Sequence, residues 1–382
     1  MRIIIAISIF LIVLGSSGYY VYIRATQSFS GLFSSSKLII IVYIFLMTSF
    51  FIGKIVENYS IGIISNSLVK IGAVAAGYLF YSLLFVVVFD LIRAANSIVP
   101  FYPSIVVNNY EKTKAIIGII SLVTITAIYV FGYINAQKLN VKELDISINK
   151  SESSFESLNV VAVSDIHLGI SVNKKKTKRL IDKINHLKPD LVIIGGDIID
   201  DNLELVKHFK LLEYFKNIES KYGVYSCMGN HEYISRSYKD LNYFEENGIN
   251  ILKDTTINID NKFYIIGRDD KEGRAINGKE RKSIAELSKN IDFKLPVILL
   301  DHQPFSLEKT AEYPIDLQFS GHTHNGQFWP LNYITGLIFE EDWGYLKKLN
   351  THFYVSSGYG TAVVPIKVGN KSEIVNIRIT NN

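Results

Sequence analysis

Ser320-Gly321-His322-Thr323-His324-Asn325-Gly326 sets two histidines one residue apart between glycines, a rigid turn able to chelate. Alone, a His-x-His pair is weak evidence, because surface accidents produce it about as readily as ligand sites do. Here it closes a series. Upstream stand Ser164-Asp165-Ile166-His167, Gly195-Gly196-Asp197, Gly229-Asn230-His231-Glu232 and Leu300-Asp301-His302. Five of the eight histidines fall in these patches. Carboxylates, imidazoles and an amide gathered this way point to a two-metal hydrolytic site.

Each patch follows a short run rich in Val and Ile. Leu158–Val163 precedes Asp165, Asp190–Ile194 precedes Asp197, and Tyr222–Ser226 precedes Asn230. Pro296–Leu300 precedes His302, and Ile315–Phe319 precedes His322. Continuous apolar runs predict strands covered on both faces and alternating with helices. Ligands at the carboxyl ends of such strands converge on one edge of the sheet, which makes five separated patches neighbours. Later runs are less regular: Lys262–Gly267, Phe353–Ser356, Ile366–Val368 and Glu373–Thr380. The last alternates and follows a turn at Gly369-Asn370, as a hairpin strand does. These runs predict a second, more antiparallel sheet packed on the first, with helices outside.

Asp-x-His, Gly-Asp, Gly-Asn-His-Glu, a lone His and Gly-His-x-His, in this order, resemble the calcineurin-like metallophosphoesterase superfamily over residues 158–382. The stretches Gly321–Gln327 and Ser356–Gly360 are most similar to its bacterial membrane-associated branch. The resemblance implies a four-layer α/β/β/α sandwich. It implies one metal held by Asp165, His167, Asp197 and His324, and a second held by Asp197, Asn230, His302 and His322, with Asp197 bridging. It gives His231 no metal and sets it over the phosphate as proton donor or transition-state stabiliser, with Glu232 orienting it. Glu232 stands where this branch more often carries aspartate. The residue types suit such chemistry, because the carboxylates neutralise only part of the charge of two divalent cations. The remainder binds a phosphate oxyanion and acidifies a bridging water to hydroxide. Mixed nitrogen and oxygen ligation favours Mn, Fe, Zn or Co over Ca or Mg.

The beginning of the chain reads differently. Ile3–Ile23, Leu38–Val56, Ile71–Phe89 and Ala115–Ala136 are apolar spans, each close to the roughly 20 residues a helix needs to cross hydrocarbon. They predict a membrane domain over residues 1–137 with four transmembrane helices and both chain ends on one face. The loop from Asp90 to Lys114 is expected at the interface, marked by Asp90 and Arg93. Residues 138–157 read as linker and edge strand, and 158–382 as the catalytic domain. Residues 1–150 carry 11 Lys and Arg against 5 Asp and Glu, split six to five between the two faces, so the orientation stays open. The basic half is the membrane half, and no nucleic-acid partner is expected. The spans hold no cluster of charge that suggests transport. Cys227 is the only cysteine, which excludes an intrachain disulfide.

His186, His208 and His352 lie outside the motifs and read as surface or packing residues. Lys174–Arg179 reads as the solvated start of a helix. Both tryptophans, Trp329 and Trp343, follow Gly-His-x-His in company with Tyr333, Ile334, Leu337, Ile338 and Phe339. Ordinary packing is the first reading of that segment, and an apolar rim for a bilayer or an acyl chain the second. Arg268 and Asp269 receive no role. The chain is therefore expected to be a multi-pass membrane phosphoesterase acting on a phosphomonoester, phosphodiester or pyrophosphate, lipid-linked or soluble. The rival is a non-catalytic membrane sensor or scaffold that keeps the fold. Loss of a ligand would favour that rival, and none is lost.

Overall fold

The computed structural model describes residues 2–29, 37–153 and 155–381. The chain divides into two compact units, Met1–Gly132 and Tyr133–Asn382.

The first unit is helical: α1 (Arg2–Ser28), α2 (Lys37–Tyr59), α3 (Ile63–Ile98), α4 (Ser104–Asn108) and α5 (Tyr110–Gln137), which runs into the second unit. Among the described residues, α2, α3 and α5 are long and apolar enough to cross a membrane. The expected span Ile3–Ile23 lies in α1, where the side chains of residues 2–7 and 10 fall outside the described residues. The segment after Asp90, expected as a loop, is largely helical. Nothing in it breaks a helix before Pro100, so α3 continues to Ile98. Val99 is then extended at φ −124° and ψ 104°, the conformation a residue before proline prefers. Asp90 pairs with Arg24 at 2.6 Å and Arg93 at 3.3 Å, so its charge is matched where solvation is poor.

Two six-stranded sheets build the second unit. The first has the order β1 (Leu139–Ile148), β12 (Ser372–Asn381), β2 (Ser157–Val163), β3 (Leu191–Ile194), β4 (Val224–Cys227) and β5 (Asn250–Leu252). The second has the order β10 (Gly344–Lys348), β11 (Thr351–Val355), β9 (Leu317–Ser320), β8 (Val297–Leu300), β7 (Phe263–Gly267) and β6 (Thr255–Ile259). Strand alternation divides the core into layers. Leu158, Val160, Ala162, Leu191 and Ile193 meet Phe263, Ile265, Ile298, Leu317 and Phe319 between the sheets. Val161, Val163, Val192 and Ile194 face outward onto Leu180, Ile181 and Ile184 of α6 (Lys174–His186). On the far side, Ile266, Val297 and Leu299 pack under Ile284 and Leu287. This is a four-layer α/β/β/α sandwich, and it explains why the strands read as unbroken apolar runs: both faces are covered.

The strand directions differ from expectation in two respects. The second sheet is antiparallel only at its edges, β6 with β7 and β10 with β11, while β7, β8, β9 and β11 run parallel. The run Glu373–Thr380 also joins the first sheet as β12, parallel to β1 and antiparallel to β2. Ile366–Val368 makes no strand, only an isolated bridge from Val368 to Phe328. Alternation told that β12 was extended. It carried no information about the partner, which is set by Val375, Ile377 and Ile379 filling the space between the sheets.

Buried polar ties hold the unit together. The Lys150 ammonium lies 3.0 Å from Asp316 and donates to the Phe293 and Pro314 carbonyls, each at 3.1 Å. It thereby fixes the segment after β1 to the start of the second sheet. Lys176 and Arg179 of α6 donate to the Ala136 and Gln137 carbonyls, supplying cations to the unsatisfied end of α5. Lys150→Met takes the cation from the Asp316 carboxylate, which keeps the Val297 N–H, and leaves two carbonyls without their donor. The expected cost is about 3 kcal/mol, measured as a lower unfolding midpoint of the detergent-solubilised protein. An unchanged midpoint would show that the contact contributes nothing in solution.

Candidate metal centre

The carboxyl ends of β2, β3, β4, β8 and β9 carry all five patches, and the parallel strands deliver them to one edge of the sandwich. Local backbone then aims the side chains. Asp165, His167, Asp197, His322 and His324 all have positive φ, between 48° and 71°. Non-glycine residues rarely occupy that region, and their clustering marks strain held in place by surrounding structure. Glycines make the close approach possible. A Cβ on Gly321 would stand 2.1 Å from Asp165 Oδ2, and one on Gly229 would stand 2.1 Å from Asp197 Oδ1. Neither position admits a side chain without displacing a carboxylate.

Two groups of ligand atoms result. Asp165, His167 and His324 form one, and Asp197, His302 and His322 the other. In the first, His324 Nε2 lies 3.3 Å from Asp165 Oδ1 and 3.0 Å from His167 Nε2. In the second, His302 Nε2 lies 3.2 Å from Asp197 Oδ2. The Asn230 side-chain oxygen sits 3.0 Å from His302 Nε2 and 2.9 Å from His322 Nδ1. Asp197 Oδ2 also comes within 3.9 Å of His167 Nε2, between the two groups. His302 Nδ1 contacts the Gly195 carbonyl at 2.7 Å. That contact assigns the proton to Nδ1 and leaves Nε2 as the donor atom facing inward.

The electrostatics keep two of the imidazoles neutral, with lone pairs to give, and favour charge on a third. Burial and the neighbouring His302 charge push the His322 imidazole down to about 3. Burial and the His167 charge hold His324 well below its usual range. Burial also lowers His167, but Asp200 outweighs it, with Asp197 and Asp165 behind, and carries the ring up to about 9. Asp200 Oδ1 is 3.3 Å from His167 Nδ1, although the two are not aligned as a hydrogen bond. Burial raises Asp197, yet His302 and His231 more than offset it and keep the carboxylate well below its ordinary range.

The residues fit divalent cations. The His324 Nδ1 atom is buried and has no hydrogen-bond partner among the described residues, while Nε2 faces another imidazole nitrogen at 3.0 Å. Two lone pairs so placed need a proton or a cation between them. The donors are imidazole, carboxylate and amide, without thiolate, since Cys227 is buried in strand β4.

His231 and Glu232 stand beside these groups in a short helix, Asn230–Ile234. The His231 backbone N–H donates to Asp197 Oδ1 at 2.8 Å, and its ring Nδ1 touches the Asp200 carbonyl. The ring meets His167 edge-on at 4.5 Å between centroids. Glu232 is placed otherwise than expected. It is fully buried and accepts four backbone N–H groups, from Asp197, Ile198, Ile199 and Gly229, at 2.8 to 3.3 Å. Its carboxylate therefore fixes the Asp197 loop, and the ring of His231 is oriented by Asp200 instead.

Asp200 is the residue that the motifs did not reveal. It joins His167 and His231 as a third possible ligand group. The available signal was a second aspartate three residues after Asp197. Arg268 and Asp269 also acquire partners. Arg268 and Arg281 each bind one oxygen of Asp301 at 2.7 Å, next to His302. Asp269 accepts the Tyr233 hydroxyl at 2.6 Å and so braces the Asn230–Ile234 helix. The remaining histidines lie elsewhere. His186 and His208 are exposed, and His352 packs in β11 against Tyr345.

Comparison with known proteins agrees with this geometry. The family model described as calcineurin-like phosphoesterase matches residues 158–326. An uncharacterized metallophosphoesterase of Campylobacter jejuni is 30% identical over 275 residues, covering 70% of this chain and 70% of its own length. One from Aquifex aeolicus is 29% identical over 252 residues, covering 65% of this chain and 95% of its own. A transmembrane protein with a metallophosphoesterase domain from Danio rerio is 29% identical over 271 residues, covering 68% of this chain. The match spans 62% of that protein's length. On the family model, the relatives and the ligand arrangement together, the chain belongs to the calcineurin-like metallophosphoesterase family.

Proposed function

We propose that this membrane protein hydrolyses a phosphoester or pyrophosphate bond at a dinuclear centre, on a substrate whose phosphate is carried by a lipid. One cation is assigned to Asp165, His167, Asp197 and His324, the other to Asp197, Asn230, His302 and His322. The observation that carries the reading is the place of Asp197 Oδ2, 3.2 Å from one imidazole group and 3.9 Å from the other. Bound there, divalent cations supply Lewis acidity to the phosphate and acidify the attacking water.

The chain's own residues do the rest. Asn230 offers a neutral oxygen where a carboxylate would neutralise more of the cationic charge. His231 is held by its backbone on Asp197 and by Nδ1 on the Asp200 carbonyl, which leaves Nε2 to act on the phosphate or the leaving oxygen. Glu232 keeps the Asp197 loop in its strained conformation. No ligand position is replaced, so nothing favours the non-catalytic reading. The lipid assignment is supported by the apolar helices of the first unit and by the single residue that separates α5 from β1. Its test is a substrate series on the full chain in nanodiscs: lipid phosphates, nucleotides and p-nitrophenyl phosphates, with each metal in turn. Turnover of lipid phosphates above the soluble esters is expected, and the reverse order would overturn the lipid assignment.

Four variants separate the roles. Asp197→Asn should reduce bound metal from about two per chain at both positions, because the shared ligand loses its charge; elemental analysis showing one tight metal, unmoved by the change, contradicts the dinuclear reading. His231→Ala should keep the metal content and lower turnover of bis-p-nitrophenyl phosphate by about 10² to 10⁴, whereas His302→Ala should lose metal as well. A His231→Ala enzyme that sheds metal but turns over normally per metal pair would reverse that assignment. Glu232→Gln turns an amide NH₂ toward backbone N–H groups, and is expected to lose metal together with rate. Loss of rate at full metal content would mean that Glu232 serves His231 after all.

A further inference from the structure

From Gly326 to Phe339 the chain runs without a single charged residue, yet its helix Leu331–Ile338 buries none of its side chains. Leu337 is 87% exposed, Tyr333 64%, Ile338 57%, Ile334 51% and the preceding Trp329 50%. Large apolar side chains left in water forgo the gain of burial. A contiguous set of them marks an interaction surface, unlike scattered single residues. Trp329 and Trp343 flank the helix and are the only tryptophans in the chain. Indole rings at both ends of a short apolar helix suit the boundary between hydrocarbon and headgroups.

This helix is built onto the ligand-bearing turn. A Cβ on Gly326, where φ is 69°, would stand 2.3 Å from the Asn332 nitrogen, so turn and helix touch through their backbones. At the other end the Phe339 ring lies 6.1 Å from the His322 ring and 4.7 Å from Phe305. Thr323, between the two histidines, donates to the Asp342 carbonyl. Whatever covers the helix is therefore held beside His322 and His324.

We propose that the helix Leu331–Ile338, with Trp329 and Trp343 at its flanks, seats in the apolar edge of a lipid bilayer. One observation selects a bilayer over a second copy or a soluble partner. The chain carries membrane-crossing helices, and a single residue, Lys138, separates α5 from β1, so the second unit is tethered at a membrane without recruitment. The surface also lacks the basic residues that attract anionic headgroups, and Glu340, Glu341 and Asp342 follow it. Seating then rests on apolar area, and zwitterionic lipid suffices. Delivery of a lipid-borne phosphoester to the metals rests on the function proposed above; the seating itself does not.

The two tryptophans make the test direct. The full chain is reconstituted, one per disc, in phosphatidylcholine nanodiscs with ordinary or brominated acyl chains, without substrate. Emission is expected at short wavelength in ordinary lipid and quenched in brominated lipid, with no dependence on anionic lipid or salt. An Ile334→Asp, Leu337→Asp variant should lose the quenching while its metal content stays at the unmodified level. Emission typical of water and unaffected by bromine overturns the proposal. So does shielding seen only when two chains share a disc, which would assign the surface to a second copy. Quenching without hydrolysis of any phosphoester leaves the seating in place and counts against the proposed function alone.

Discussion

Asp197 is buried at the end of β3, with Oδ1 on the His231 backbone N–H at 2.8 Å and Oδ2 3.2 Å from His302 Nε2. A carboxylate removed from water is costly unless it is hydrogen-bonded and paired. This one is both, and the demand for partners organises what surrounds it. Glu232 lies beneath, equally buried, and holds the loop by its backbone N–H groups. Burial and Asp197 together raise the Glu232 carboxyl above its usual range. With Asp165 a third acid is buried close by. Such a concentration of carboxylates is stable only with positive charge among them, from protonated imidazoles or from metal ions.

The seven ligand candidates were legible because each follows an apolar run, and parallel strands bring their carboxyl ends together without any detail of packing. Asp165, Asp197 and His302 needed no coordinates to be grouped. Other features depended on what only the fold supplies. Asp200 is an ordinary aspartate until the loop turns its carboxylate toward His167 and His231. Glu232 follows His231 directly, which suggested that it serves that ring. A short helix sends consecutive side chains apart, and the carboxylate points down to the Asp197 loop instead. β12 shows the same limit at the level of the sheet. Its alternation was plain, but a strand's partner is decided by which core its inward face completes.

The apolar segment after the Gly-His-x-His turn reads identically in sequence whether it is packed or bare. Phe339 is almost buried, and Leu337, two residues earlier, is almost fully exposed. That contrast belongs to the surface, not to composition. A chain rich in membrane-crossing helices thus also presents bare apolar surface next to its candidate metal ligands.

One carboxylate, Asp197, is proposed to be shared by two metal ions. Anomalous diffraction from crystals of the protein loaded with Mn or Zn checks that sharing. Two peaks about 3.5–4 Å apart are expected, with Asp197 coordinating both and His231 neither. A single peak, or two peaks of which only one contacts Asp197, would contradict it.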